Sequence, residues 1–330
     1  MTIHVIHENI DWSQPLFDQL TEKQAPYSDL DMSARSVDLM ATPASGIYYN
    51  RMSASSHTRG HRYAPEMTSA LLSWLETAGA PVLNGSNALR LELNKAVQYG
   101  ALKQASIDVP ETIVCETASD MLAAYDSFSG APVITKHNRA GKGLGVQLFR
   151  DRAALEAYVA GEGFDPSVDG LTLIQRYIEA PKPFITRLEF IGQQFLYAVR
   201  VDTSEGFELC PADFCTLEDA AFCPADSNSG DSNAPNSDST AKFQIDMDFA
   251  ASSLGQYLLP KCINVMKTQK LDVSAFEFIT DADGKPYIYD INTNTNYNSD
   301  AEAVVGISAM ERLADYLIEF ATHQSDRAAA

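Results

Sequence analysis

The first fifty residues alternate between the two-residue hydrophobic repeat of strands and the wider repeat of helices. The segments IHVI, YSDLDM and GIYYN predict short strands. Between the first two, SQPLFDQLTEK predicts a helix with Ser13 as its N-cap and Pro15 in its first turn. Strands that alternate with helices are typical of a parallel sheet. The chain is therefore expected to begin with an α/β unit.

Helical spacing of apolar residues returns at residues 65–78 and again after residue 84. The second stretch predicts one long helix that begins at Ser86 and runs to Gly100. Lys95 lies within it. By this pattern alone, Lys95 is a solvent-exposed helix lysine.

A basic, glycine-rich loop lies between two strand-like segments, APVITK and GVQLF. Because no helix follows the glycines, neither a Rossmann fingerprint nor a P-loop is predicted. A glycine-rich hairpin is similar to the cover that protein kinases place over ATP phosphates, and glycine lets backbone N–H groups approach a phosphate closely. Lys136 and Lys142 would supply charge beside Gly143. The alternative is an ordinary mobile hairpin, which the clustered cations in an acidic chain disfavour.

A second hairpin is predicted from Val273 to Asn292, with Asp283-Gly284 at its turn. Counting outward from this turn pairs Tyr287 with Thr280 and Asp290 with Glu277. Asn292, two residues after Asp290, shares their face. Facing carboxylates repel, and a cation relieves the repulsion; carboxylate and amide oxygens suit Mg²⁺. The alternative is a solvated hairpin, which the surrounding Phe and Ile residues disfavour.

Two arginines occur inside apolar strand segments, Arg187 in FITRLEF and Arg200 in YAVRV. An arginine inside an apolar strand is usually either a rim residue or a paired residue that faces a ligand, and two of them on neighbouring strands favour the second alternative. Because the two strands are expected to be neighbours, both arginines are predicted to face the same ligand.

Charge narrows the possible partners. The chain has 24 Lys and Arg against 44 Asp and Glu, a net charge of −20, and a pI near 4.6. This field disfavours nucleic acid and anionic membranes as partners, and an anionic ligand would need a local basic pocket.

Five cysteines, no signal-peptide pattern and no apolar run of membrane-spanning length lead us to expect a cytoplasmic protein. A zinc site at Cys210, Cys215 and Cys223 is disfavoured because no CxxC pair is present. Residues 224–241 have a low-complexity composition that predicts a disordered insertion.

The order of these features resembles the ATP-grasp superfamily. The residues that carry the resemblance are a helix Lys, a strand Lys before a glycine-rich hairpin, the IQRYI strand end, two strand arginines, and EFI followed by DIN. The resemblance extends over about residues 80–320 and is closest to carboxylate–amine ligases of the glutathione synthetase and ribosomal-protein glutamate ligase type. It implies an ATP-grasp fold of mixed α+β and α/β class, in which two α+β subdomains clamp ATP. An α/β domain of residues 1–85 would precede an ATP-grasp domain of residues 86–330, with a lid subdomain at about 108–177.

The resemblance also implies roles for individual residues. It assigns ATP contacts to Lys95, Lys136, Lys142, Gly143, Gln175, Tyr177 and Ile178. It assigns one or two Mg²⁺ ions, or Mn²⁺, to Glu277, Asp290 and Asn292. It assigns the acyl-phosphate and the transferring phosphoryl group to Arg187 and Arg200 as catalytic residues. Three positions depart from the family pattern: Asp290 replaces a frequent Glu, Arg176 replaces a hinge Glu, and Ile185 stands where an acidic ribose ligand is expected.

The second substrate has two candidate sets of ligands. Arg51, Ser53 and Arg59 could bind a carboxylate at the junction with the first domain, and Asn294 and Asn296 follow the metal ligands. For both sets, a polar loop that satisfies its own backbone is an equal alternative.

The expected function is formation of an amide or peptide bond between a small-molecule carboxylate and an amine of an amino acid or peptide, with ATP and Mg²⁺. The alternatives are an ATP-grasp phosphotransferase and a non-catalytic nucleotide-binding regulator. A homo-oligomer is left open.

Overall fold

The computed structural model of the chain describes residues 1–141, 143–204 and 242–329. Lys142, the insertion predicted at 224–241, and Cys210, Cys215 and Cys223 lie outside the described residues. Within those ranges, no helix has the length and apolar character needed to cross a bilayer.

The N-terminal sheet has four strands, all parallel, in the order β2-β1-β3-β4. Its strands are β1 (Ile3–His7), β2 (Tyr27–Asp31), β3 (Ile47–Asn50) and β4 (Val82–Leu83). Its helices are α1 (Ile10–Glu22) and α2 (Ala64–Thr77). The predicted parallel sheet is confirmed. The predicted N-cap is wrong: Asn9 caps α1 by accepting a hydrogen bond from Trp12 N, and Ser13 is buried inside the helix.

The predicted long helix after residue 84 is two helices, α3 (Ser86–Glu92) and α4 (Lys95–Gln104). Asn94 separates them because its extended backbone ends one helix while its side chain caps the next, accepting from Val97 N at 3.0 Å. Lys95 therefore opens a helix. Its 4% exposure contradicts the prediction of a solvent-exposed lysine.

A second four-stranded sheet is antiparallel, in the order β5-β8-β6-β7. Its strands are β5 (Thr112–Cys115), β6 (Val133–His137), β7 (Gln147–Phe149) and β8 (Thr172–Arg176). Two helices pack on it, α5 (Ala118–Ser127) and α6 (Arg152–Ala160), through a core that includes Met121, Phe149 and Leu155. The glycine-rich loop joins β6 to β7 as a hairpin, as predicted.

The third sheet has five antiparallel strands in the order β11-β10-β9-β12-β13. Its strands are β9 (Phe184–Ile191), β10 (Gln194–Asp202), β11 (Phe243–Asp246), β12 (Val273–Thr280) and β13 (Pro286–Asn292). The remaining helices are α7 (Ser253–Gln269), α8 (Ser299–Val305) and α9 (Ala309–Ala329). Helix α7 packs on one face of this sheet through Leu258, Val265 and Met266. Helix α9 shares a core with β1 and α1 and so joins the first sheet to the third.

The predicted pairing of the β12–β13 hairpin is correct at its centre and wrong near its turn. Glu277 pairs with Asp290 as predicted, but Tyr287 pairs with Ile279 rather than Thr280. The turn is one residue longer than expected, because Asp281 rather than Ala282 lies opposite Lys285, and a bulge after Glu277 compensates for the shift. The two errors cancel at the position where the carboxylates meet.

Candidate functional site

A cleft with a cavity volume of about 240 Å³ lies between the second and third sheets. Lys136 and Gln175 enter it from the second sheet, and Arg187, Glu277 and Asp290 enter it from the third. Of the residues predicted to bind ATP, metal or substrate, the cleft is lined by Ser53, Lys95, Lys136, Gly143, Gln175, Tyr177, Ile178, Arg187, Glu277, Asp290, Asn292, Asn294 and Asn296. Residues far apart in the sequence are thus brought to one place by the two sheets.

Glu277 and Asp290 face each other across the β12–β13 pair. Asn292 lies on the same face and donates from its Nδ2 to Glu277 Oε1 at 3.0 Å. That bond fixes the orientation of the amide and leaves Asn292 Oδ1 for another donor or a cation. The strand pair therefore presents two carboxylates and one amide oxygen to the cleft.

Two lysines neutralise Asp290. Lys95 Nζ donates to both of its oxygens, at 2.9 Å each, and Lys136 Nζ lies 3.5 Å from Oδ2. Lys136 Nζ also donates to Tyr289 O at 3.1 Å and lies over the Tyr289 ring. The start of α4 and strand β6 thus supply the positive charge that an anionic ligand would need.

The two carboxylates differ in their pKa values. Burial raises the pKa of Glu277, and the neighbouring charge of Asp290 raises it further. Burial would raise the pKa of Asp290 as well, but the ammonium groups of Lys136 and Lys95 outweigh it and lower that pKa. Asp290 is therefore the carboxylate that keeps its charge to lower pH.

The donor set has the chemistry of a magnesium site, since Mg²⁺ takes carboxylate and amide oxygens and retains waters and phosphate oxygens. Across the described ranges, no three or more His, Cys, Asp and Glu side chains converge. An ion here would thus rest on Glu277 and Asp290, with Asn292 as the third protein ligand.

The glycine-rich loop closes one side of the cleft through Gly141, Gly143 and Leu144. Gly145 has a φ of +72°, and a Cβ at this position would lie 2.1 Å from the His137 ring. Glycine is therefore required there for the loop to fold back on β6. Lys142, predicted to contact ATP, lies outside the described residues.

The end of β8 forms another wall. Gln175, Tyr177 and Ile178 all line the cleft. The side chain of Gln175 donates to Tyr99 Oη at 2.7 Å and to Thr112 Oγ1 at 2.8 Å, while Tyr177 N donates to Pro132 O at 2.9 Å. These hydrogen bonds hold the end of β8 in place as a wall of the cleft.

The two strand arginines do not share a ligand. Arg187 lines the cleft and donates to Glu189 Oε1 and to Asn296 O. Arg200 lies on the opposite face of the sheet, half exposed and paired with Asp246 Oδ2 at 2.7 Å. The bulge between Phe195 and Tyr197 is the reason, because it shifts the β9–β10 register by one residue and pairs Arg187 with Val199. The prediction that Arg200 faces the same ligand as Arg187 is wrong.

The three substrate residues predicted within the first 85 residues do not all reach the cleft. Ser53 lines the cleft and lies 2.9 Å from Ser55 Oγ. Arg59 is instead bound to the buried carboxylate of Glu8 and lies 4.4 Å from the Trp12 ring. Arg51 is 2% exposed and sits behind the wall of the cleft, where it hydrogen-bonds to residues 294–296. The structure therefore gives both arginines protein partners.

Two buried glutamates of the cleft were not singled out in the sequence. Glu189 lies two residues after Arg187, so strand alternation places it on the same face. Glu92 interrupts the apolar run LRLELN and accepts from Ala54 N and Thr293 N. Burial raises the pKa of both carboxyl groups. An acidic residue inside an apolar run was the signal that could have found either one.

Comparison with known proteins agrees with this geometry. Residues 93–208 match the family model described as the RimK-like ATP-grasp domain. The chain superposes on a RimK domain ATP-grasp protein from Sphaerobacter thermophilus with a TM-score of 0.62, at 18% identity, covering 96% of this chain and 99% of that one. The chain has the ATP-grasp fold. The D-alanine–D-alanine ligase of Bacillus anthracis, solved with ATP, has the same fold, with a TM-score of 0.63 at 14% identity, covering 100% and 99% of the two chains.

Comparison of sequences also finds ligases of the ribosomal-protein glutamate type. The ribosomal protein bS6–L-glutamate ligase of Escherichia fergusonii is 28% identical over 138 residues, which are 42% of this chain and 45% of the relative. The match thus spans less than half of the curated relative. The ATP-grasp fold predicted from the order of motifs is confirmed, and the predicted resemblance to the ribosomal-protein glutamate ligase type is confirmed by these matches.

Proposed function

We propose that this ATP-grasp protein is a ligase that uses ATP and Mg²⁺ to join a carboxylate to an amine of an amino acid or peptide. One observation carries the proposal: Lys95 and Lys136 converge on Asp290, which faces Glu277 across a strand pair inside a closed cleft. Paired cations beside paired carboxylates suit a triphosphate bridged to a divalent ion.

ATP would occupy the space between the two sheets. Its phosphates would lie against Lys95 and Lys136, under the backbone of Gly141 and Gly143. Its base would lie between apolar side chains such as Ile134 and Ile279, with Ile178 at the edge. Support for this placement comes from charge at one end of the cleft and apolar walls at the other.

Glu277, Asp290 and Asn292 would hold the magnesium. When bound, Mg²⁺ supplies positive charge that neutralises phosphate oxygens. Arg187, with Glu189 and Glu277 beside it, is held fully charged although its side chain is only partly exposed, and loss of solvent alone would lower its pKa. It would stabilise negative charge as this charge develops on the substrate oxygens.

The proposed reaction has two steps. A carboxylate oxygen of the first substrate attacks the γ-phosphorus of ATP, and the bond from that phosphorus to the bridging oxygen breaks, releasing ADP. The amine then attacks the carbonyl carbon of the acyl-phosphate, and inorganic phosphate leaves as the amine loses a proton. The chain positions the reactants and excludes water, since an acyl-phosphate hydrolyses readily.

The named relatives support this class of reaction. The curated relatives are L-glutamate ligases that act on ribosomal protein bS6, and the superposed enzyme from Bacillus anthracis is a D-alanine–D-alanine ligase. We propose the same bond-forming chemistry here, with residues 86–330 as the ATP-grasp domain and residues 1–85 as the α/β domain before it. The first 85 residues contribute Trp12, Ser53 and Ser55 to the cleft.

Purified protein incubated with Mg·ATP and pooled amino acids and short peptides tests the proposal. We expect release of ADP and phosphate together with a product whose mass equals that of two substrates minus water. A phosphorylated acceptor without free phosphate would instead identify a phosphotransferase. ATP binding without turnover in any pool would identify a non-catalytic nucleotide-binding protein. Asp290→Asn, which removes a proposed metal ligand, is the negative control.

A further inference from the structure

Residues 291–298, called the strip below, continue past the end of β13 with a strict alternation of burial. Buried side chains occur at Ile291, Thr293, Thr295 and Tyr297, and half-buried asparagines occur at Asn292, Asn294, Asn296 and Asn298. All four asparagines line the cleft. The strip therefore presents four amides to the cleft.

Arg51 fixes the orientation of two of these amides. Its Nε donates to Asn294 Oδ1 at 3.3 Å, and one of its terminal nitrogens donates to Asn296 Oδ1 at 3.1 Å. Because arginine is only a donor, each amide must turn its oxygen towards Arg51. The NH₂ groups of Asn294 and Asn296 are thereby left for the cleft, and within the described residues they donate to no protein acceptor.

Asn298 repeats this arrangement and Asn292 reverses it. Asn298 Oδ1 accepts from Ala301 N at 2.7 Å, which leaves its NH₂ group free to donate. Asn292 uses its NH₂ group on Glu277 and keeps its oxygen. The strip therefore changes polarity along its length, from an acceptor at the metal end to donors at the other three positions.

Among the described residues, Arg51 has no carboxylate partner. It is 2% exposed, and in the described part of the chain its hydrogen bonds go to amide and carbonyl oxygens and to Met310 Sδ. A buried guanidinium without a carboxylate is costly unless a negative charge comes near. The amides that it orients stand between this charge and the cleft.

We propose that Asn294, Asn296 and Asn298 form the subsite for the carboxylate of the amine substrate, and that Arg51 is the positioning residue that sets its donors. A carboxylate has only acceptor oxygens and would meet a row of N–H donors polarised by a buried positive charge. The amine substrate is therefore an amino acid or a peptide terminus rather than a simple amine. This inference rests on the proposed ligase function and adds the residues that recognise the carboxylate of the second substrate.

Asn294→Asp and Asn296→Asp test the subsite. Each retains an oxygen towards Arg51 and exchanges only the cleft-facing NH₂ for a carboxylate oxygen. Wild-type protein and variants are assayed with the twenty standard amino acids, each supplied as the free acid and as its carboxamide. We expect kcat/KM for the acids to fall by about tenfold to a hundredfold, and that for the carboxamides to change by only about threefold, because a carboxamide can donate to the new aspartate. The KM for ATP should be unchanged.

Asn264→Asp, on the exposed face of α7, is the control for added charge. An unchanged ratio of acid to carboxamide in the two cleft variants would overturn the subsite. Calorimetric binding of the same acids and carboxamides, with a non-hydrolysable ATP analogue, separates this inference from the ligase proposal. If wild-type protein shows no turnover but binds acids that the variants do not bind, the subsite stands and the ligase proposal fails. If wild-type protein binds neither form, the subsite fails.

Arg51→Lys tests the positioning role. A lysine retains the charge but cannot hold two amides at once. We expect a raised KM for the acids with little change in kcat and an unchanged thermal transition. Equal effects on the KM values of ATP and the acids would show that Arg51 is only structural.

Discussion

Lys95 donates hydrogen bonds to both carboxylate oxygens of Asp290, each at 2.9 Å, and Lys136 approaches the same carboxylate at 3.5 Å. All three side chains are at most 14% exposed. In the ligand-free protein, the proposed phosphate ligands and a proposed metal ligand thus neutralise one another. On the proposed function, entry of Mg·ATP would exchange these contacts, with the phosphates taking the lysines and the metal taking Asp290.

Asp290→Asn should change the affinity for ATP in opposite directions with and without magnesium. Without the carboxylate, both lysines are unpaired and the repulsion of a metal-free triphosphate is removed, so metal-free ATP should bind more tightly. With magnesium, a ligand of the ion is lost and binding should weaken. We expect a change of about tenfold in each direction. Isothermal calorimetry with ATP, in EDTA and in excess MgCl₂, measures both.

The matched control is Asp246→Asn, which removes the same charge from the pair with Arg200 on the other face of the sheet. It should leave both affinities unchanged. A weakening by Asp290→Asn in EDTA as well as in magnesium would contradict the exchange of partners. The unpaired lysines should also lower the free energy of unfolding by about 3–5 kcal/mol, and metal-free ATP should restore part of it.

Arg187→Lys and Arg200→Lys should have very different effects on the rate. Arg187 contacts Glu189 and Asn296 O in the cleft, and lysine retains its charge but not its planar donors. We expect kcat to fall by about a hundredfold to a thousandfold. Arg200 lies outside the cleft, so its replacement should change kcat by less than about twofold. Single-turnover measurement of ADP formation compares the two, and a similar loss in both variants would contradict the observed register.

The comparison of these arginines shows what could be predicted from the sequence and what could not. Local patterns predicted the parallel first sheet, the glycine-rich hairpin and the pairing of Glu277 with Asp290. A bulge adds one residue to a strand without changing its hydrophobic composition, so the face occupied by Arg200 could not be predicted. The burial of Lys95 depends on Asp290, 195 residues away, and no local pattern contains that contact.

The cysteines within the described ranges should be chemically inert in the folded protein. Burial raises the pKa of the Cys115 thiol to about 11 and also raises that of Cys262, which lies on the buried face of α7. We expect neither to react with iodoacetamide at about pH 8, and both to react after denaturation. Peptide mass spectrometry measures the modified fraction. Alkylation of Cys115 in native protein would show that β5 opens at its edge of the second sheet.

An ion pair joins the glycine-rich loop to the first part of the chain. Arg139, next to the loop and 5% exposed, donates to Glu66 Oε1 of α2 at 2.7 Å, and Arg62 donates to the same oxygen. Glu66→Gln should loosen the loop. Because the Glu66 side chain is about half exposed, we expect a loss of only about 1 kcal/mol or less, seen as faster hydrogen exchange in peptides that cover residues 137–149. Glu156→Gln, which breaks an exposed pair with Arg152, should leave this exchange unchanged.

The ion pair of Glu66 with Arg139 and Arg62 should persist in mild acid. Burial alone would raise the pKa of Glu66, but hydrogen bonds from Arg139 and Arg62 outweigh it and lower the pKa to about 2 from its ordinary 4.5. A carboxyl group with a lowered pKa contributes stability above its ordinary pKa and loses it as the pH falls through the lowered value. The difference in exchange between wild type and Glu66→Gln, corrected for intrinsic rates, should therefore be as large at about pH 5 as at pH 7. If that difference disappears by pH 5, the carboxylate does not hold the loop as the structure indicates.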